Sequence, residues 1–381
     1  MRGVRSPLAG GARVTADPLR LLRHSGPIEP YPLEPSNADL AAAAGIGVEA
    51  IVRFDTNTLG GGPLPGVVEA WRGWDPAEIV EYGDLGYGRL RAAIAEAIGV
   101  PPGQIVPGAG ADELIRLVTT SVIGPGDAVV VPTPTFPMFA VEAGLAGARV
   151  VSVPRDHPGR RQTVASLRDA AAGARLVWTC SPNNPTGDVM PLEEIRELAT
   201  GLEAIVVVDQ VYLEFAEAAG TPDVDALALL DQLDNVLVLR SLSKAYGLAG
   251  ARLGYLVVPA ALAERFDGLR LASSVGVASE ILGIGALADR AASRERLAEI
   301  MLERQRLADA AAALGCEVLP GSANFVTFRP PNASELAGRL LDRGLVVRLY
   351  DAGPMRGWLR ATARAADENA RLVAALTELL G

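Results

Sequence analysis

The chain has 381 residues, of which 49% are hydrophobic and 21% are charged, a composition typical of a folded protein with one large and one smaller domain. Its net charge of −10 argues against a nucleic-acid partner, because no basic face could easily dominate that balance. No apolar run approaches the ~20 residues of a membrane span, and the only cysteines are Cys180 and Cys316, so we expect a cytoplasmic protein without a membrane segment, a disulfide framework or a metal site.

The N-terminal part of the sequence predicts an arm followed by a large domain. Residues 1–54 are rich in proline, glycine and alanine and contain one helical stretch at 38–44. From Ile51 onwards, short apolar runs alternate with amphipathic stretches. We predict helices at 89–98, 113–122, 136–143, 163–172 and 192–202, and strands at 128–131, 149–153, 176–180, 204–208 and 236–239. Such unbroken apolar strands indicate a mainly parallel sheet covered by helices, whose ligands bind beyond the carboxyl ends of the strands.

The pattern changes after residue 261. Long helices rich in alanine, arginine, glutamate and leucine precede short strands and a closing helix. We predict helices at 279–289, 291–314 and 368–380, and strands at 324–329, 345–350 and 359–362. The sequence therefore predicts a large α/β domain at 55–270 and a smaller α+β domain at 271–381, against which the arm packs.

One residue count stands out. Of the 35 lysine and arginine residues, only Lys244 is a lysine. Arginine does not lose its proton in proteins and cannot act as a Schiff-base nucleophile, whereas lysine can. Because the chain otherwise uses only arginine as its long cationic side chain, the single lysine indicates covalent chemistry at Lys244. A surface lysine without a function would give the same count.

Two segments suit a phosphate group. Gly-Ala-Gly-Ala-Asp-Glu at 108–113 opens a helix, and the free N–H groups at a helix N-terminus favour an anion. Ser-Leu-Ser-Lys at 241–244 follows a predicted strand, and Arg252 lies eight residues further on, so hydroxyls and a guanidinium accompany the lone lysine. The glycine segment alone could also be a tight turn, and it lacks the third glycine of a dinucleotide fingerprint.

Two further strands end in polar residues that could hold an aromatic ring. Ser-Pro-Asn-Asn-Pro-Thr-Gly at 181–187 forms a rigid turn from which Asn184 could donate to a ring oxygen. Asp209 ends the predicted strand at 204–208, with Tyr212 three residues later. A buried carboxylate needs a partner, and a protonated pyridine nitrogen is one. Ordinary turn and cap chemistry would explain each segment taken alone.

Together, the segments at 181–187, 208–215 and 241–255 resemble the class I and II aminotransferases of fold type I, most closely their histidinol-phosphate aminotransferase branch. The resemblance runs from about Ile51 to the C-terminus. It implies a mainly parallel, seven-stranded sheet, pyridoxal 5′-phosphate as cofactor, and an amino donor and a 2-oxoacid as substrates. It also implies that Lys244 carries the cofactor, that Asp209 pairs with the pyridine nitrogen, and that Asn184 and Tyr212 bind the phenolic oxygen.

The same resemblance implies further binding residues. Those around the cofactor phosphate would be Ala111, Asp112, Ser241, Ser243 and Arg252, and Phe136 would stack on the ring. Those that bind the substrate would be Arg360, Arg348, Asn324 and Asn57. Tyr82 matches a tyrosine that family members donate to the cofactor phosphate of a neighbouring subunit, so the resemblance implies a homodimer with shared active sites.

Three departures from the family pattern leave the substrate open. Asp-Thr-Asn-Thr-Leu-Gly at 55–60 replaces an Asn-Glu-Asn-Pro element, Gln210 replaces a glutamate, and Ala-Arg-Ala at 363–365 replaces Val-Gly-Thr. We expect transamination between histidinol phosphate and 2-oxoglutarate. The alternatives are transamination of aromatic amino acids, decarboxylation of a phosphorylated amino acid, and a non-catalytic sensor module, which the short arm and the acidic charge disfavour.

Overall fold

The computed structural model of the chain describes residues 34–381. The part of the predicted arm before residue 34 lies outside this range. The strands are β1 (Val52–Arg53), β2 (Ile105–Gly108), β3 (Ala128–Thr133), β4 (Arg149–Pro154), β5 (Leu176–Cys180), β6 (Ile205–Asp209), β7 (Val236–Ser241), β8 (Gly254–Val257), β9 (Glu317–Val318), β10 (Phe325–Arg329), β11 (Leu345–Val346), β12 (Arg348–Tyr350) and β13 (Trp358–Thr362). The α-helices are α1 (Asn37–Ala44), α2 (Pro65–Gly73), α3 (Gly88–Ile98), α4 (Ala111–Val122), α5 (Met138–Leu145), α6 (Val164–Ala170), α7 (Leu192–Ala199), α8 (Leu213–Ala218), α9 (Ala260–Leu269), α10 (Val277–Ala288), α11 (Arg290–Ala313), α12 (Ala333–Leu341) and α13 (Ala366–Leu380).

A seven-stranded sheet forms the centre of the molecule, in the order β2-β8-β7-β6-β5-β3-β4. Strands β4, β3, β5, β6 and β7 are parallel, and β8 runs antiparallel to both of its neighbours. The register places Cys180 beside Asp209, and Asp209 beside Leu239, so the carboxyl ends of the central strands lie level. The predicted α/β fold with a mainly parallel seven-stranded sheet is therefore confirmed.

Both faces of this sheet are buried, as its continuous apolar strands require. Val206 and Val208 of β6 pack into one core with helices α3, α7 and α10, while Val207 packs into a second core with α4, α5 and α9. In the second core, the rings of Phe139 and Trp178 stack with centroids 4.5 Å apart. The alternation follows from the two-residue period of a strand and fixes which side chains of β6 can reach its carboxyl end.

A smaller antiparallel sheet, in the order β12-β13-β10-β9, packs against α11, α12 and α13. Its core contains Phe325, Leu359 and Leu372. The N-terminal segment joins this part of the molecule, because β1 pairs in parallel with β11, with Val52 opposite Leu345. Helix α10 lies within the predicted small-domain range, but it packs against α2 and α3, and its residues share a core with the central sheet.

Helices α2, α8, α9 and α12 were not predicted, and the structure also differs from the predicted elements at two strands and at one helix start. The predicted strand at 345–350 is split after Val346, because β11 pairs with β1 and β12 pairs with β13. Strand β8 was not predicted; it is short, begins with a glycine, and lies between two strands of opposite direction. The helix predicted at 136–143 begins only at Met138, after Pro137 in the N-cap position. None of the helices in the described range is long and apolar enough to cross a membrane.

Candidate active site

A cavity of about 450 Å³ lies beyond the carboxyl ends of β3, β5, β6 and β7, and residues of β12 and β13 form its opposite wall. Thirteen of the fifteen residues predicted for the site line this cavity: Asn57, Ala111, Asp112, Phe136, Asn184, Asp209, Tyr212, Ser241, Ser243, Lys244, Arg252, Arg348 and Arg360. Asn324 and Tyr82 do not. The fold thus brings together residues from distant parts of the chain, such as Asn57 and Arg360.

The lone lysine lies inside the cavity. Lys244 Nζ donates a hydrogen bond of 2.9 Å to the main-chain carbonyl of Thr56. Burial, and next the positive charge of Arg360, lower the pKa of the Lys244 ammonium to about 8. A group with this pKa supplies a far larger fraction of free amine near neutral pH than an exposed lysine does, as a nucleophile for a carbonyl requires.

Asp209 is the last residue of β6, and only 4% of its surface is exposed. Its carboxylate accepts a hydrogen bond of 3.0 Å from the N–H of Val211 and forms no salt bridge within residues 34–381. Burial raises the pKa of this carboxyl to about 7. A buried carboxylate in this position fits a protonated ring nitrogen, because such a partner would offset the cost of desolvating its charge.

Asn57 connects Tyr212 to the smaller sheet. Its Nδ2 donates to Tyr212 Oη at 2.8 Å, its N–H donates to Thr362 Oγ1 at 3.0 Å, and its carbonyl accepts from Asn324 Nδ2 at 3.2 Å. The Tyr212 ring also packs edge-on against Phe325, at 5.5 Å between centroids. Burial raises the pKa of the Tyr212 phenol well above its usual range, so this hydroxyl keeps its proton and can donate it in a hydrogen bond.

Arg360 fixes the orientation of Asn184. Its Nη1 donates to Asn184 Oδ1 at 2.5 Å, its Nη2 donates to the carbonyl of Asp55, and its guanidinium carbon lies 5.4 Å from the centre of the Phe325 ring. Because the arginine occupies the amide oxygen, the NH₂ group of Asn184 is the part left to donate to a ligand. Asn184 and Tyr212 thus offer two hydrogen-bond donors in one cavity.

In the segment predicted to bind a phosphate, Gly110 lies directly against the Arg252 side chain. Gly110 has φ +83°, and a Cβ atom there would lie 2.6 Å from Arg252 Nη2, so only glycine fits. Gly110 precedes α4, whose first residues, Ala111 and Asp112, line the cavity. Arg252 is held by Asp112 at 3.0 Å, and Ser241 Oγ accepts from the N–H of Ser243 at 3.1 Å.

Two arginines face each other at the far wall. Arg348 of β12 lies directly opposite Arg360 of β13, so both side chains are on the same face of the sheet. Tyr350 lies on that face too, because residues two apart on a strand point the same way. Arg348 Nη1 contacts Glu34 Oε1 at 3.3 Å. The alternation along β12 could have revealed Tyr350, but neither Glu34 nor the Thr56 carbonyl had a signal in the sequence.

Asn324 and Tyr82 lie away from the cavity in this chain. Asn324 is completely buried behind Asn57, which it supports through the hydrogen bond to the Asn57 carbonyl. Tyr82 is 85% exposed and lies in the segment between α2 and α3. Asn324 thus lies one layer behind the cavity wall, and Tyr82 lies outside the cavity of its own chain.

Two of the departures from the family pattern also lie outside the cavity. Gln210 points to the opposite side of β6 from Asp209, where it donates to the Val224 carbonyl and accepts from Arg240 Nη2 at 3.3 Å. Arg364 donates to the carbonyl oxygens of Arg53 and Thr58. Neither residue touches the space available to a substrate, whereas Asp55 and Asn57 line it.

Comparisons with known proteins agree with this geometry. Residues 49–378 match the family described as aminotransferase class I and II. The chain is 35% identical over 368 residues to a histidinol-phosphate aminotransferase of Roseiflexus castenholzii, covering 92% of this chain and 96% of that protein. It is 31% identical over 347 residues to the enzyme of that name from Lactiplantibacillus plantarum, covering 91% and 96%.

Solved structures show the same likeness. The crystal structure of histidinol-phosphate aminotransferase from Sinorhizobium meliloti in complex with pyridoxal 5′-phosphate superposes with a TM-score of 0.83, at 28% identity and 98% coverage of both chains. L-Threonine-O-3-phosphate decarboxylase from Porphyromonas gingivalis, at 22% identity and a TM-score of 0.72, shares the fold. The chain belongs to the class I and II aminotransferases, and it is a pyridoxal-phosphate-dependent enzyme of fold type I.

The residues of the cavity fit this cofactor. Asp209 supplies a buried carboxylate for the ring nitrogen, and Lys244 supplies an amine with a lowered pKa for the aldehyde. The N-terminus of α4, with Ser241, Ser243 and Arg252, offers N–H, hydroxyl and guanidinium donors for the phosphate. The ring nitrogen, the aldehyde and the phosphate of the cofactor would therefore each meet a complementary group among the lining residues.

Proposed function

We propose that this aminotransferase exchanges the amino group between histidinol phosphate and 2-oxoglutarate. The observation that carries the proposal is the direct pairing of Arg348 with Arg360 across β12 and β13. Two cations on one face repel each other unless an anion lies between them, and guanidinium groups bind phosphate and carboxylate through paired hydrogen bonds. Histidinol phosphate carries its phosphate on the carbon next to the amine-bearing carbon, and 2-oxoglutarate carries carboxylates on both sides of its keto carbon, so each substrate offers an anion to these guanidinium groups.

The relatives support the same substrate. Proteins 31–35% identical over most of this chain carry the name histidinol-phosphate aminotransferase. The proposal also includes a role in amino-acid biosynthesis and the cytoplasmic location expected from the sequence.

The reaction follows from what the lining residues can do. When bound, pyridoxal phosphate withdraws electrons from the bonds of the substrate Cα. Asp209 would keep the proton on the ring nitrogen, and Tyr212 and Asn184 would donate to the ring oxygen. The free amine of Lys244 would take the proton from Cα and return it on the cofactor side, as general base and then general acid. Arg360 would orient the substrate so that the Cα proton faces Lys244.

A screen of amino donors tests the proposal. The purified, cofactor-loaded enzyme is mixed with one donor at a time, and conversion of its visible absorption band to the aminated form of the cofactor is recorded. Histidinol phosphate should convert the band, with slower conversion by phenylalanine or tyrosine. Lys244→Arg, which removes the only lysine, should abolish both the band and turnover. Release of carbon dioxide without conversion of a 2-oxoacid would contradict the proposal.

We also propose that the enzyme is a homodimer in which Tyr82 reaches the cofactor phosphate of the second subunit. An apolar surface around Tyr82 supports this: the exposed side chains are Ile79, Val80, Tyr82, Leu85 and Leu271. The segment 79–85 and the segment around Leu271 lie next to each other, because Arg270 Nη2 donates to the Leu85 carbonyl. A twofold axis would make each donated contact reciprocal and complete both sites together.

Sedimentation and cofactor retention test the dimer. Tyr82→Phe removes one charge-assisted hydrogen bond, worth about 1.5–3 kcal/mol if well formed. It should weaken cofactor binding without unfolding the protein. A monomer with full activity and unchanged cofactor affinity would overturn both the dimer and the role of Tyr82.

A further inference from the structure

Glu34 lies at the wall of the cavity with one carboxylate oxygen directed to each of two arginines. Its Oε1 contacts Arg348 Nη1 at 3.3 Å, and its Oε2 contacts Arg53 Nη2 at 3.4 Å. The exposed fractions of the Arg348 and Glu34 side chains are 27% and 25%, so water can reach both groups of the pair. The contact is therefore neither deeply buried nor tightly made, and it can exchange.

The two arginines depend on Glu34 to different degrees. Arg53 is already held by Asp55 through two hydrogen bonds of 2.7 Å, from Nε to Oδ1 and from Nη2 to Oδ2. Within the described residues, Arg348 has Glu34 as its one ion-pair partner. Arg53 can thus keep Glu34 near the cavity after Arg348 has moved to another anion. The exchange leaves no carboxylate without a cation.

We propose that Glu34 is a specificity-determining residue that acts as the exchangeable counter-ion of Arg348. The inference rests on the proposed transamination and extends it to the strength with which the cavity selects a phosphorylated donor. When the bound donor carries a phosphate, Arg348 leaves Glu34 and pairs with the phosphate. When the donor has a hydroxyl in place of the phosphate, Arg348 stays paired with Glu34, and the uncharged hydroxyl of the donor lies beside a neutral ion pair.

Because Glu34 competes for Arg348, the cavity prefers phosphorylated donors over uncharged ones less strongly than it would if neither arginine had a carboxylate partner. A phosphorylated donor must displace Glu34 before it gains Arg348, so part of the gain is lost, whereas an uncharged donor leaves the pair intact. Removing the carboxylate should therefore favour phosphorylated donors over their uncharged counterparts. A structural role for Glu34 would lower the activity toward both donors alike.

The test compares histidinol phosphate with histidinol, which differ only in the phosphate group. The ratio of their kcat/KM values is measured for the native enzyme and for Glu34→Gln, both loaded with cofactor. The ratio should rise about two- to fivefold in the variant, the range that a partly exposed ion pair gives. The double variant Arg348→Gln/Glu34→Gln should have the same ratio as Arg348→Gln alone, because Glu34 and Arg348 act through one contact. Glu49→Gln, which removes an exposed carboxylate that does not line the cavity, should also leave it unmoved.

A ratio that stays constant or falls in Glu34→Gln would overturn the inference, and a fall would mean that Glu34 itself contacts the donor. A second measurement separates this outcome from failure of the proposed function. Glycerol phosphate carries a phosphate and no amine, so its Kd for the cofactor-loaded enzyme does not depend on which donor is turned over. Glu34→Gln should tighten this Kd by the same two- to fivefold, and an unchanged Kd would count against the counter-ion even if histidinol phosphate proves not to be a donor.

Discussion

At the scale of single residues, the site is defined by groups whose burial changes how readily they hold a proton. Burial brings the pKa of the Asp209 carboxyl up to about 7 and that of the Lys244 ammonium down to about 8. Both shifts disfavour the charged form of the group when the cofactor is absent. A protonated ring nitrogen would offset this penalty for the Asp209 carboxylate, and the uncharged amine of Lys244 is the form that reacts with an aldehyde.

The burial of Asp209 should make the cofactor-free protein less stable as pH rises from about 4 to 7. In this range the folded protein holds a proton on Asp209 that the unfolded chain has released, so the unfolding free energy falls with rising pH. A shift of about three pKa units corresponds to about 4 kcal/mol over the whole range. Chemical denaturation of the cofactor-free protein at pH 5 and pH 7.5 measures the upper part of this fall, about 2.5 kcal/mol.

Asp209→Asn should reduce the fall, and the part that remains should come from other groups. Glu214 is one of them, since burial raises the pKa of its carboxyl to about 7 as well. The surface variant Asp231→Asn is a control for the loss of one acidic residue and should behave like the native protein. Equal pH dependence in Asp209→Asn and the native protein would show that Asp209 does not carry the effect.

Asn57 should control the direction of the Tyr212 proton. In the structure its amide donates to Tyr212 Oη, which leaves the phenolic proton for another acceptor. In Asn57→Asp the carboxylate would accept that proton and add a negative charge beside the cofactor. We expect the pH midpoint of the cofactor's visible band to rise by about one to two units, the equivalent of one hydrogen bond to a charged group, and kcat to fall.

The same amide-to-acid change at the surface is the control for this experiment. Asn332 caps α12 and is exposed, and aspartate serves equally well as an N-cap, so Asn332→Asp should leave the band and kcat unchanged. If Asn57→Asp shifts neither the midpoint nor kcat, Asn57 does not orient Tyr212.

At the scale of elements, the turn into α4 limits how the phosphate site can be built. Gly110→Ala would place a methyl group against the Arg252 guanidinium, at a backbone conformation that glycine alone adopts easily. A strain of about 1–3 kcal/mol there would raise the Kd for the cofactor roughly 5- to 150-fold. Titration of the cofactor-free protein with pyridoxal phosphate measures the change.

Gly144→Ala is the matched control, because Gly144 lies in α5 with no atom within 4 Å of the added methyl group. This variant should bind the cofactor normally and be as stable as the native protein or slightly more so. Cofactor binding by Gly110→Ala that equals the control would mean that the turn tolerates a side chain.

The elements that the sequence predicts best are those with strong local patterns. The strand at 176–180 agrees with β5 residue for residue, and Asn184, Asp209 and Lys244, which lie at or after the ends of central strands, line the cavity. Elements that depend on distant partners were missed. Whether the run at 345–350 is one strand or two depends on β1 and β13, which lie far away in the chain.

The same limit applies to the site. Gln210 follows Asp209 in sequence, but the alternation of β6 directs it to the opposite side of the sheet, so its departure from the family pattern does not alter the cavity. Glu34 enters the cavity only because the N-terminal segment runs beside β12, as its contact with Arg348 requires. No local pattern near Glu34 predicts that contact.

At the scale of the whole molecule, the apolar surface around Tyr82 should be required for assembly. Val80 is 79% exposed within this surface, and Val80→Glu would place a carboxylate in the proposed interface. Desolvating that charge costs about 2 kcal/mol or more, which weakens the dimer roughly 30-fold. Sedimentation equilibrium should show dissociation at concentrations where the native protein is dimeric, with a parallel loss of cofactor.

Leu302→Glu is the matched control for Val80→Glu, because it places a carboxylate at an exposed apolar residue outside the proposed interface. Leu302 is 55% exposed on α11, outside the surface around Tyr82, so the same kind of substitution should leave assembly and cofactor content unchanged. A dimer that withstands Val80→Glu as well as Leu302→Glu would mean that the subunits do not associate through this surface.

Because the chain has a single lysine, proteolysis at Lys244 can report how much of the protein has bound cofactor. A lysine-specific endoprotease can cut the denatured polypeptide at one peptide bond, between Lys244 and Ala245, because no other lysine occurs in the sequence. Under the proposal that Lys244 carries the cofactor, borohydride reduction fixes the cofactor onto Nζ, and that bond becomes resistant to the protease. The ratio of intact chain to the fragments 1–244 and 245–381 on a gel then counts loaded active sites directly, without reference to turnover or to the identity of the substrate.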